Sequence, residues 1–215
     1  MPNNMPVYEQ KDIPIICCIE MVKAIQDGSK TQTRRILTKY NSHGKPETGM
    51  YQHVPYDYSQ WQTIYRIYPK WEVGDRLWVR ETHYRYGRWI KNGYTKSGRQ
   101  AWRFFPTTNA VRFSDDTPLK VQKGKKYTGW YKRPSIFMPK WAARIWREIT
   151  EVRVERLQEI SLADIQAEGI YDNRASHNAP IQRDKFSILW DSINSKRGYG
   201  WDVNCWVWVL TFKRV

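Results

Sequence analysis

The chain has 215 residues, which fits one domain with an insertion better than several independent domains. Hydrophobic residues make up 40% of it and aromatic residues 15%, a composition that excludes disorder throughout. The net charge of +15 favours a polyanionic partner over a neutral metabolite, because basic surfaces gain affinity by releasing counterions from phosphates. The alternative is a basic protein that needs no such partner.

The cysteines do not predict a disulfide framework. Cys17 and Cys18 are neighbours whose side chains point to opposite faces of a strand, and Cys205 is the third. A reducing compartment follows. Residues 1–12 hold no apolar core of signal-peptide length, and no stretch reaches the about 18 apolar residues that a membrane helix needs. We therefore expect a cytoplasmic protein without membrane contact.

The first predicted elements are a buried strand over 13–18 and a helix from Ile19 that Gly28 ends in a left-handed conformation. The loop 28–35 follows, with the sequence Gly-Ser-Lys-Thr-Gln-Thr-Arg-Arg. A lysine, two threonines and two arginines are thus gathered where they could meet one anionic or polar ligand. A second strand is predicted from Arg34 onward.

Residues 40–70 show no clear period and are predicted to form a long surface loop. A turn over 71–75 then precedes a strand over 76–81, whose alternation puts Glu81 at the end of an apolar row. Burying a carboxylate without a partner is costly, so we expect Glu81 to meet a cation or a hydroxyl, with Lys30 as the candidate. The alternative is that Glu81 lies in water at the strand end.

Residues 83–133 form a basic, aromatic insertion. They contain 13 lysines and arginines against two aspartates, an excess of +11 out of the total of +15. Flat rings among cations suit unpaired bases, which stack on aromatics while lysine and arginine hold the phosphates. The alternative is a β-hairpin whose rings pack on the rest of the fold and whose charges face solvent. The aromatic residues in question are Tyr84, Tyr86, Trp89, Tyr94, Trp102, Phe104, Phe105, Tyr127, Trp130 and Tyr131.

The last third of the chain predicts a mixed α+β fold. Residues 171–180 and 196–204 are predicted as a loop and a turn. Pro139 begins a predicted helical turn, and 145–157 are predicted as a half-exposed strand or hairpin. A capping box at 161–164 opens a short helix that Gly169 ends. An amphipathic helix with an apolar stripe at Phe186, Leu189, Trp190 and Ile193 follows, and then a central strand over 205–212 that closes a small barrel.

The residues also limit the chemistry. The four histidines are scattered, no C-x-x-C spacing occurs, and no phosphate-loop or dinucleotide motif is present, so we expect neither a metal nor a cofactor. What remains is Lys30, Thr33 and Glu81. A threonine hydroxyl needs a base beside it, and a lysine can serve once burial or cationic neighbours lower its pKa. Lys30 and Thr33 share a face if their loop keeps a helical turn.

These segments resemble a known family. Gly28-x-Lys30 followed by Arg35 is similar to the G-x-K-x-x-x-x-R signature of ASCH domains, within the PUA-like superfamily of RNA-associated small barrels. The resemblance implies a PUA-like pseudo-β-barrel with flanking helices, carrying the insertion 83–133 in one domain over 1–215. The segments that also resemble phage- and prophage-encoded ASCH proteins are 30–35, 74–81, 133–142, 154–158, 168–170, 189–194 and 198–202.

The resemblance also implies an activity. One bacterial ASCH branch removes the acetyl group from N4-acetylcytidine with a Lys–Thr–Glu triad, whose members fall on Lys30, Thr33 and Glu81 of this chain. That branch is shorter and has nothing like residues 83–133, so an RNA chain could replace the nucleoside. Other ASCH proteins resemble ribonucleases or RNA binders, and phage members carry a morphogenesis label, so a ribonuclease and a protein-interaction factor stay open.

We therefore expect a protein that binds RNA or a modified nucleoside in a pocket of Lys30, Thr33 and Glu81 as the catalytic set, and that hydrolyses it. Its location would be the host cytoplasm if a phage encodes it. Phosphate neutralisation is expected from the loop, and stacking with further charge from the insertion. The expected RNA- or nucleoside-binding residues are Gly28, Arg34, Arg35, Arg80, Lys123, Lys125 and Lys126.

Overall fold

The computed structural model describes residues 9–37, 39–40, 46–47, 70–116, 120–170 and 179–215. Most of the predicted loop 40–70 and residues 171–178 lie outside the described residues. The chain is a mixed α+β protein, as predicted. Its strands are β1 (Asp12–Ile16), β2 (Gln32–Ile36), β3 (Lys39–Tyr40), β4 (Pro46–Glu47), β5 (Arg76–Arg80), β6 (His83–Tyr94), β7 (Gln100–Arg112), β8 (Gly129–Arg133), β9 (Trp146–Arg156) and β10 (Trp206–Arg214). Its α-helices are α1 (Ile19–Asp27), α2 (Leu162–Ala167) and α3 (Ala179–Asn194), and short 3-10 turns cover Ser135–Phe137, Lys140–Ala142, Leu157–Glu159, Ser195–Arg197 and Trp201–Val203.

The described chain divides into two compact units. Unit 1 holds the described residues of Met1–Lys11, Ala24–Arg76 and Arg147–Val215. Unit 2 holds Asp12–Lys23 and the described residues of Leu77–Trp146. The basic segment 83–133 therefore belongs to unit 2. Within the described chain, no helix is long and apolar enough to cross a membrane.

The central element of unit 1 is β10, which pairs antiparallel with β2 on one side and β9 on the other. This confirms the prediction of a central strand. Within the described residues of unit 1, β2 and β9 do not pair with each other, so these three strands do not close into the predicted barrel. Successive residues of β2 point to opposite faces, so Arg34, opposite Val209, and Arg35, opposite Trp208, separate.

The loop after α1 differs from its prediction. Strand β2 begins at Gln32 instead of Arg34, so Thr33 lies in extended backbone and the helical turn is not formed. The reason is that neighbouring backbone takes up the loop's hydrogen bonds. The Thr31 amide donates to Ala167 (2.8 Å), and the Thr31 carbonyl accepts from the Phe212 amide (2.9 Å).

The predicted ends of the first two helices are confirmed. Gly28 and Gly169 adopt φ values of +86° and +82°, the left-handed region that a glycine enters without a Cβ penalty. Ser161 caps α2, since its Oγ accepts from the Asp164 amide at 3.1 Å and the Asp164 carboxylate accepts from the Ser161 amide. These local signals fix where α2 begins and where the chain turns toward Lys30.

Helix α3 buries Phe186 and Trp190 of the predicted apolar stripe, but not Ile193. Its buried residues recur every fourth position, at Gln182, Phe186, Trp190 and Asn194, whereas Ile193 is 47% exposed. Buried residues spaced four apart do not stay on one line along a helix of about 3.6 residues per turn. The buried stripe therefore winds around the helix, and Ile193 lies outside it. The core that α3 packs on consists of Leu157, Ile160, Ile165, Cys205, Val207 and Val209.

Unit 2 contains the pair β1–β5 and a three-stranded antiparallel sheet of order β7-β6-β8. The hairpin alternative for the insertion is thus confirmed in its strands, with β6 and β7 as its arms. Strand β1 buries Ile13 and Ile15 and exposes Ile16, so only one of its faces is buried. The three cysteines, all in the described chain, form no disulfide, as predicted.

Candidate functional site

Lys30 is buried against Glu168 in unit 1. Its side chain is 1% exposed, and Nζ donates to the Glu168 carboxylate at 2.5 Å and to the Glu168 carbonyl at 3.0 Å. A bridge between the Lys30 and Glu168 backbones holds the two segments together. A Cβ added at Gly169 would lie 3.0 Å from the Cβ of Lys30, so glycine permits this close approach. The Lys30 ammonium therefore has its own counter-ion.

Arg34 is the centre of the same ion-pair network. Its side chain is 1% exposed, and it donates to Glu155 through Nε (2.9 Å) and Nη2 (2.6 Å). Nη1 donates to the Gln32 amide oxygen at 2.7 Å and to Glu168 at 3.3 Å, and Nη2 lies 3.3 Å from Asp164. The guanidinium is therefore fully engaged with acceptors of the protein itself.

Arg153 extends the network toward its edge. It contacts Glu155 at 3.2 Å, Asp164 at 2.7 Å and Glu151 at 3.2 Å. Burial alone would raise the pKa of Asp164, but hydrogen bonds from Ser161 and Arg153 outweigh it and lower the pKa to about 2. The three cations of the network thus face at least as many carboxylates. Because the charged groups of this buried network contact one another, we interpret the network as part of what holds the fold together.

The other predicted residues of the loop are dispersed. Thr33 is 3% exposed and lies opposite Leu210 in the β2–β10 ladder. Gly28 is exposed, and a Cβ added there would meet nothing within 4 Å. Arg35 is half-buried beside Trp208, on the sheet face opposite to Arg34. The loop therefore sends its side chains in different directions.

Glu81 is buried in unit 2 against a cation, as predicted, but the cation is Arg144 and not the predicted Lys30, which pairs with Glu168. Glu81 is 2% exposed, and its two carboxylate oxygens each accept from Arg144 at 2.9 Å. The alternative of Glu81 in water is therefore wrong. Arg144 also contacts Asp115 at 2.7 Å and lies 4.0 Å from the centre of the Phe113 ring. Burial lowers the pKa of Arg144, but hydrogen bonds to Glu81 and Asp115 outweigh it and raise that pKa.

The triad residues thus divide between the units: Lys30 and Thr33 belong to unit 1 and Glu81 to unit 2. The partners that they contact, Glu168 and Arg144, were not predicted from the sequence. Glu168 precedes the helix-ending glycine of α2, which was the one available signal. Its pairing with a lysine 138 positions away is a tertiary contact that no local pattern predicts.

The sheet of unit 2 carries charge and rings on one face. His83, Arg85 and Trp89 alternate along β6 and share this face. Across to β8, His83 lies opposite Arg133, and Arg85 lies opposite Tyr131. A histidine, two arginines and aromatic rings are thereby brought together from residues that were scattered in the insertion.

Three of the insertion's rings pack on one another. Trp89, Phe104 and Tyr131 meet edge to face, with ring centres 5.5, 6.2 and 5.7 Å apart. A Cβ at Gly87 would lie 2.7 Å from the Phe104 ring, so this glycine makes room for it. These rings pack within the insertion itself, and not on the rest of the fold as the hairpin alternative predicted.

Arg133 and Arg85 each lie against an exposed ring. The Arg133 guanidinium is 4.7 Å from the Phe137 ring centre and 4.6 Å from the Phe104 ring centre. Arg85 lies 5.0 Å from the Trp141 ring, and its Nη2 donates to the Thr108 carbonyl at 3.2 Å. Phe137 and Trp141 are both 59% exposed.

Arg80, Arg85 and Arg133 form what we call the arginine cluster. Within the described part of the chain, no carboxylate forms an ion pair with any of them. Burial lowers the pKa of Arg85, and burial together with the charge of Arg85 lowers the pKa of Arg133. The cluster therefore carries positive charge that its surroundings do not compensate.

The arginine cluster also affects the pKa of the neighbouring His83. His83 is 1% exposed, and its Nδ1 lies 3.3 Å from the Glu81 carbonyl oxygen. Burial lowers the pKa of His83 to about 4, and the charges of the arginine cluster contribute to the shift. The imidazole is therefore neutral near pH 7 and adds no charge to this face.

The remaining predicted binding residues lie around unit 2. Lys125 is exposed, with Nζ 5.0 Å from the Trp102 ring centre, and Lys123 is exposed beside it in the chain. Lys126 lies 5.3 Å from the Tyr127 ring. Arg80 donates to the Ile136 carbonyl. Across the described ranges, no group of histidine, cysteine and carboxylate residues could hold a metal ion.

Four candidate binding residues, Phe137, Trp141, Arg85 and Arg133, were not predicted from the sequence. The two exposed rings lie on the 3-10 turns Ser135–Phe137 and Lys140–Ala142, each of which a proline precedes. An exposed aromatic residue on a proline-started turn was the available signal. The arginines could be recognised only once their burial and their contacts with the two rings were known.

Comparisons with known proteins add little. No family model matches the chain, and no curated protein matches it. A solved structure that matches is the crystal structure of an ASCH domain from Lactobacillus crispatus JV V101. The two are 12% identical, the match covers 95% of this chain and 79% of that chain, and the TM-score is 0.38. At these values the likeness carries no argument about fold or function.

Proposed function

We propose that this protein is an ASCH-type, PUA-like protein that binds RNA through unit 2. The observation that carries the proposal is the pair Arg85 and Arg133, partly desolvated, close enough to affect each other, and without a carboxylate partner in the described chain. The family assignment rests on the sequence motifs, and the choice of ligand rests on this charge.

An uncompensated arginine pair in a partly buried position is costly. Desolvation and mutual repulsion both disfavour the charged guanidinium, and a bound anion relieves both. RNA supplies a phosphate at every nucleotide, and the local excess of +11 supplies the longer-range attraction. A protein-interaction surface would instead present a broad apolar patch, whereas Phe137 and Trp141 each have an arginine against the ring.

The experiment measures binding of a fluorescent single-stranded RNA at several salt concentrations. The triple variant of Lys123, Lys125 and Lys126 to glutamine is expected to lower the slope of log K against log salt by roughly 0.7 for each phosphate that the variant no longer binds. The control is a triple variant of Lys11, Lys196 and Lys213 to glutamine, which removes the same charge elsewhere. Binding that does not depend on salt, or an equal change in both triple variants, overturns the proposal.

Hydrolysis is the second candidate, and it rests on the resemblance of Lys30, Thr33 and Glu81 to the ASCH triad. Thr33 Oγ1 would attack the amide carbonyl of N4-acetylcytidine, and Lys30 would accept the hydroxyl proton and pass it to the leaving amine. Both carboxylate oxygens of Glu81 accept from Arg144, so Glu81 has no proton to donate. Water would then release acetate and regenerate the hydroxyl. Lys30 must first lose a proton to act as a base, and Glu168 is the carboxylate that holds its ammonium.

The assay incubates the protein with N4-acetylcytidine and follows the release of cytidine. Turnover is expected in the parent and is expected to be lost in Lys30→Ala and Thr33→Ala. Glu81 belongs to the other unit, so its role in hydrolysis is tested by measuring turnover in Glu81→Gln. The same variants on single-stranded RNA test a ribonuclease. Equal turnover in all proteins, or none in the parent, rejects the hydrolase.

A further inference from the structure

We infer that the RNA site of unit 2 takes a single strand at a two-nucleotide step, with one base stacked on Trp141, the next on Phe137, and a phosphate at Arg85 and Arg133. The inference rests on the proposed RNA binding and goes further, because it names the form of the RNA and the residues that contact its bases and its phosphate.

Both rings are exposed although each has an arginine against it. Arg85 lies against Trp141 and Arg133 against Phe137, with guanidinium-to-ring-centre distances of 5.0 and 4.7 Å. A ring that has a guanidinium on one side and is still 59% exposed presents its other side to solvent. Each ring is therefore a platform on which a flat base can stack.

The two arginines also have unused hydrogen-bonding capacity. Arg85 is about nine-tenths buried at 9% exposure, yet its Nε has no acceptor among the described residues. Arg133 has no ion-pair partner within the same residues. Buried donors without acceptors are rare, and a phosphate oxygen is an acceptor that also supplies the missing negative charge.

The ring–arginine arrangement occurs twice in succession. The rings of the two pairs lie on two successive 3-10 turns, Ser135–Phe137 and Lys140–Ala142. The arginines of the two pairs are close enough that the charge of Arg85 lowers the pKa of Arg133. Bases in a duplex are stacked on each other and cannot offer their faces to these rings, whereas an unpaired strand can. Two platforms on successive turns, each with a guanidinium against its ring, fit a dinucleotide step of a single strand.

The experiment compares binding of a single-stranded 10-mer RNA with the blunt duplex of the same sequence, at one salt concentration. The parent is expected to bind the single strand roughly ten-fold more tightly. Trp141→Ala and Phe137→Ala are each expected to weaken single-strand binding by roughly five-fold to a hundred-fold, the range for one stacked base. Trp141→Phe keeps a flat ring and is expected to retain most of the affinity. This variant therefore separates the loss of stacking from a loss of folding.

The matched control is Ile188→Ala, which removes an apolar side chain that is 69% exposed on α3 in unit 1. It is expected to leave affinity unchanged. Equal binding of duplex and single strand, or a loss in Ile188→Ala as large as in Trp141→Ala, overturns the inference. If Arg85→Gln still weakens binding in that case, RNA binding itself stands. If no RNA binds in a salt-dependent way, the proposed function fails with it.

Discussion

Lys30 and Arg34 of unit 1 have surroundings opposite to those of Arg85 and Arg133 of unit 2. In unit 1, Lys30 and Arg34 are nearly inaccessible and contact Glu168 and other carboxylates at 2.5–3.3 Å. In unit 2, Arg85 and Arg133 contact aromatic rings and, within the described chain, no carboxylate. Lys30 and Arg34 of the basic loop thus belong to a network whose carboxylates compensate their charge, and the uncompensated charge lies in the aromatic sheet.

The difference shows that a motif rich in basic residues need not be the site where an anion binds. A buried cation with a carboxylate partner contributes to the uniqueness of the fold, while a cation without one is available to a ligand. The partner of each cation, and not its residue type, decides between the two roles. Single substitutions can change one side of this comparison at a time.

The largest effect is expected from Glu168→Gln. This change leaves the Lys30 ammonium buried without its counter-ion and weakens the support of Arg34, which should lower the free energy of unfolding by about 3–5 kcal/mol. Urea unfolding measures it. Glu148→Gln is the control, because the pair of Glu148 with Lys213 is partly exposed and should contribute less than about 1 kcal/mol. Similar losses in both variants would show that the network is not structural.

His83 is expected to make unit 2 sensitive to acid. Its pKa is about 4 in the folded protein and near its ordinary value of 6.5 in the unfolded chain, so the unfolded state binds more protons between these values. Stability should therefore be complete above pH 6.5 and fall as pH decreases toward 4, by about 3 kcal/mol. His83→Asn should remove this part of the dependence. An unchanged pH profile in His83→Asn would contradict a buried neutral imidazole.

Gly169→Ala should have a smaller effect that is specific to unit 1. The added Cβ would lie 3.0 Å from the Cβ atoms of Lys30 and Ala24, in addition to the cost of a φ of +82°. Gly98→Ala has a φ of +75° with nothing within 4 Å and carries the backbone cost alone. We expect Gly169→Ala to lower the free energy of unfolding by about 1–3 kcal/mol more than Gly98→Ala in urea unfolding. Equal effects would mean that the approach of Gly169 to Lys30 is not tight.

Local signals predicted much of the fold. Gly28, the Ser161 capping box and Gly169 set helix ends, and the apolar run before Phe212 set the central strand, because each is decided by neighbours in the chain. The face of α3 was predicted correctly at Phe186 and Trp190 and wrongly at Ile193, since tertiary packing buries every fourth residue of this helix. The start of β2 was misplaced, because its hydrogen bonds come from distant segments.

The candidate sites were less predictable. Burial of Glu81 with a cation follows from strand alternation, but its partner Arg144 is 63 positions away and carries no local signal. The charge excess of residues 83–133 pointed to unit 2 from composition alone. Within the described chain, none of the 13 basic residues of this segment forms an ion pair with a carboxylate, so that property does not select among them. What distinguishes Arg85 and Arg133 is their burial and their contact with exposed rings, which depend on the tertiary structure.

The most direct measurement is the salt dependence of RNA binding in two matched double variants. Arg85→Gln with Arg133→Gln removes two uncompensated arginines, and Arg34→Gln with Arg153→Gln removes two compensated ones. We predict that the first lowers the slope of log K against log salt by roughly 1.4, and that the second leaves the slope unchanged in the protein that remains folded. A slope that falls only in the second double variant would contradict the assignment of RNA binding to unit 2.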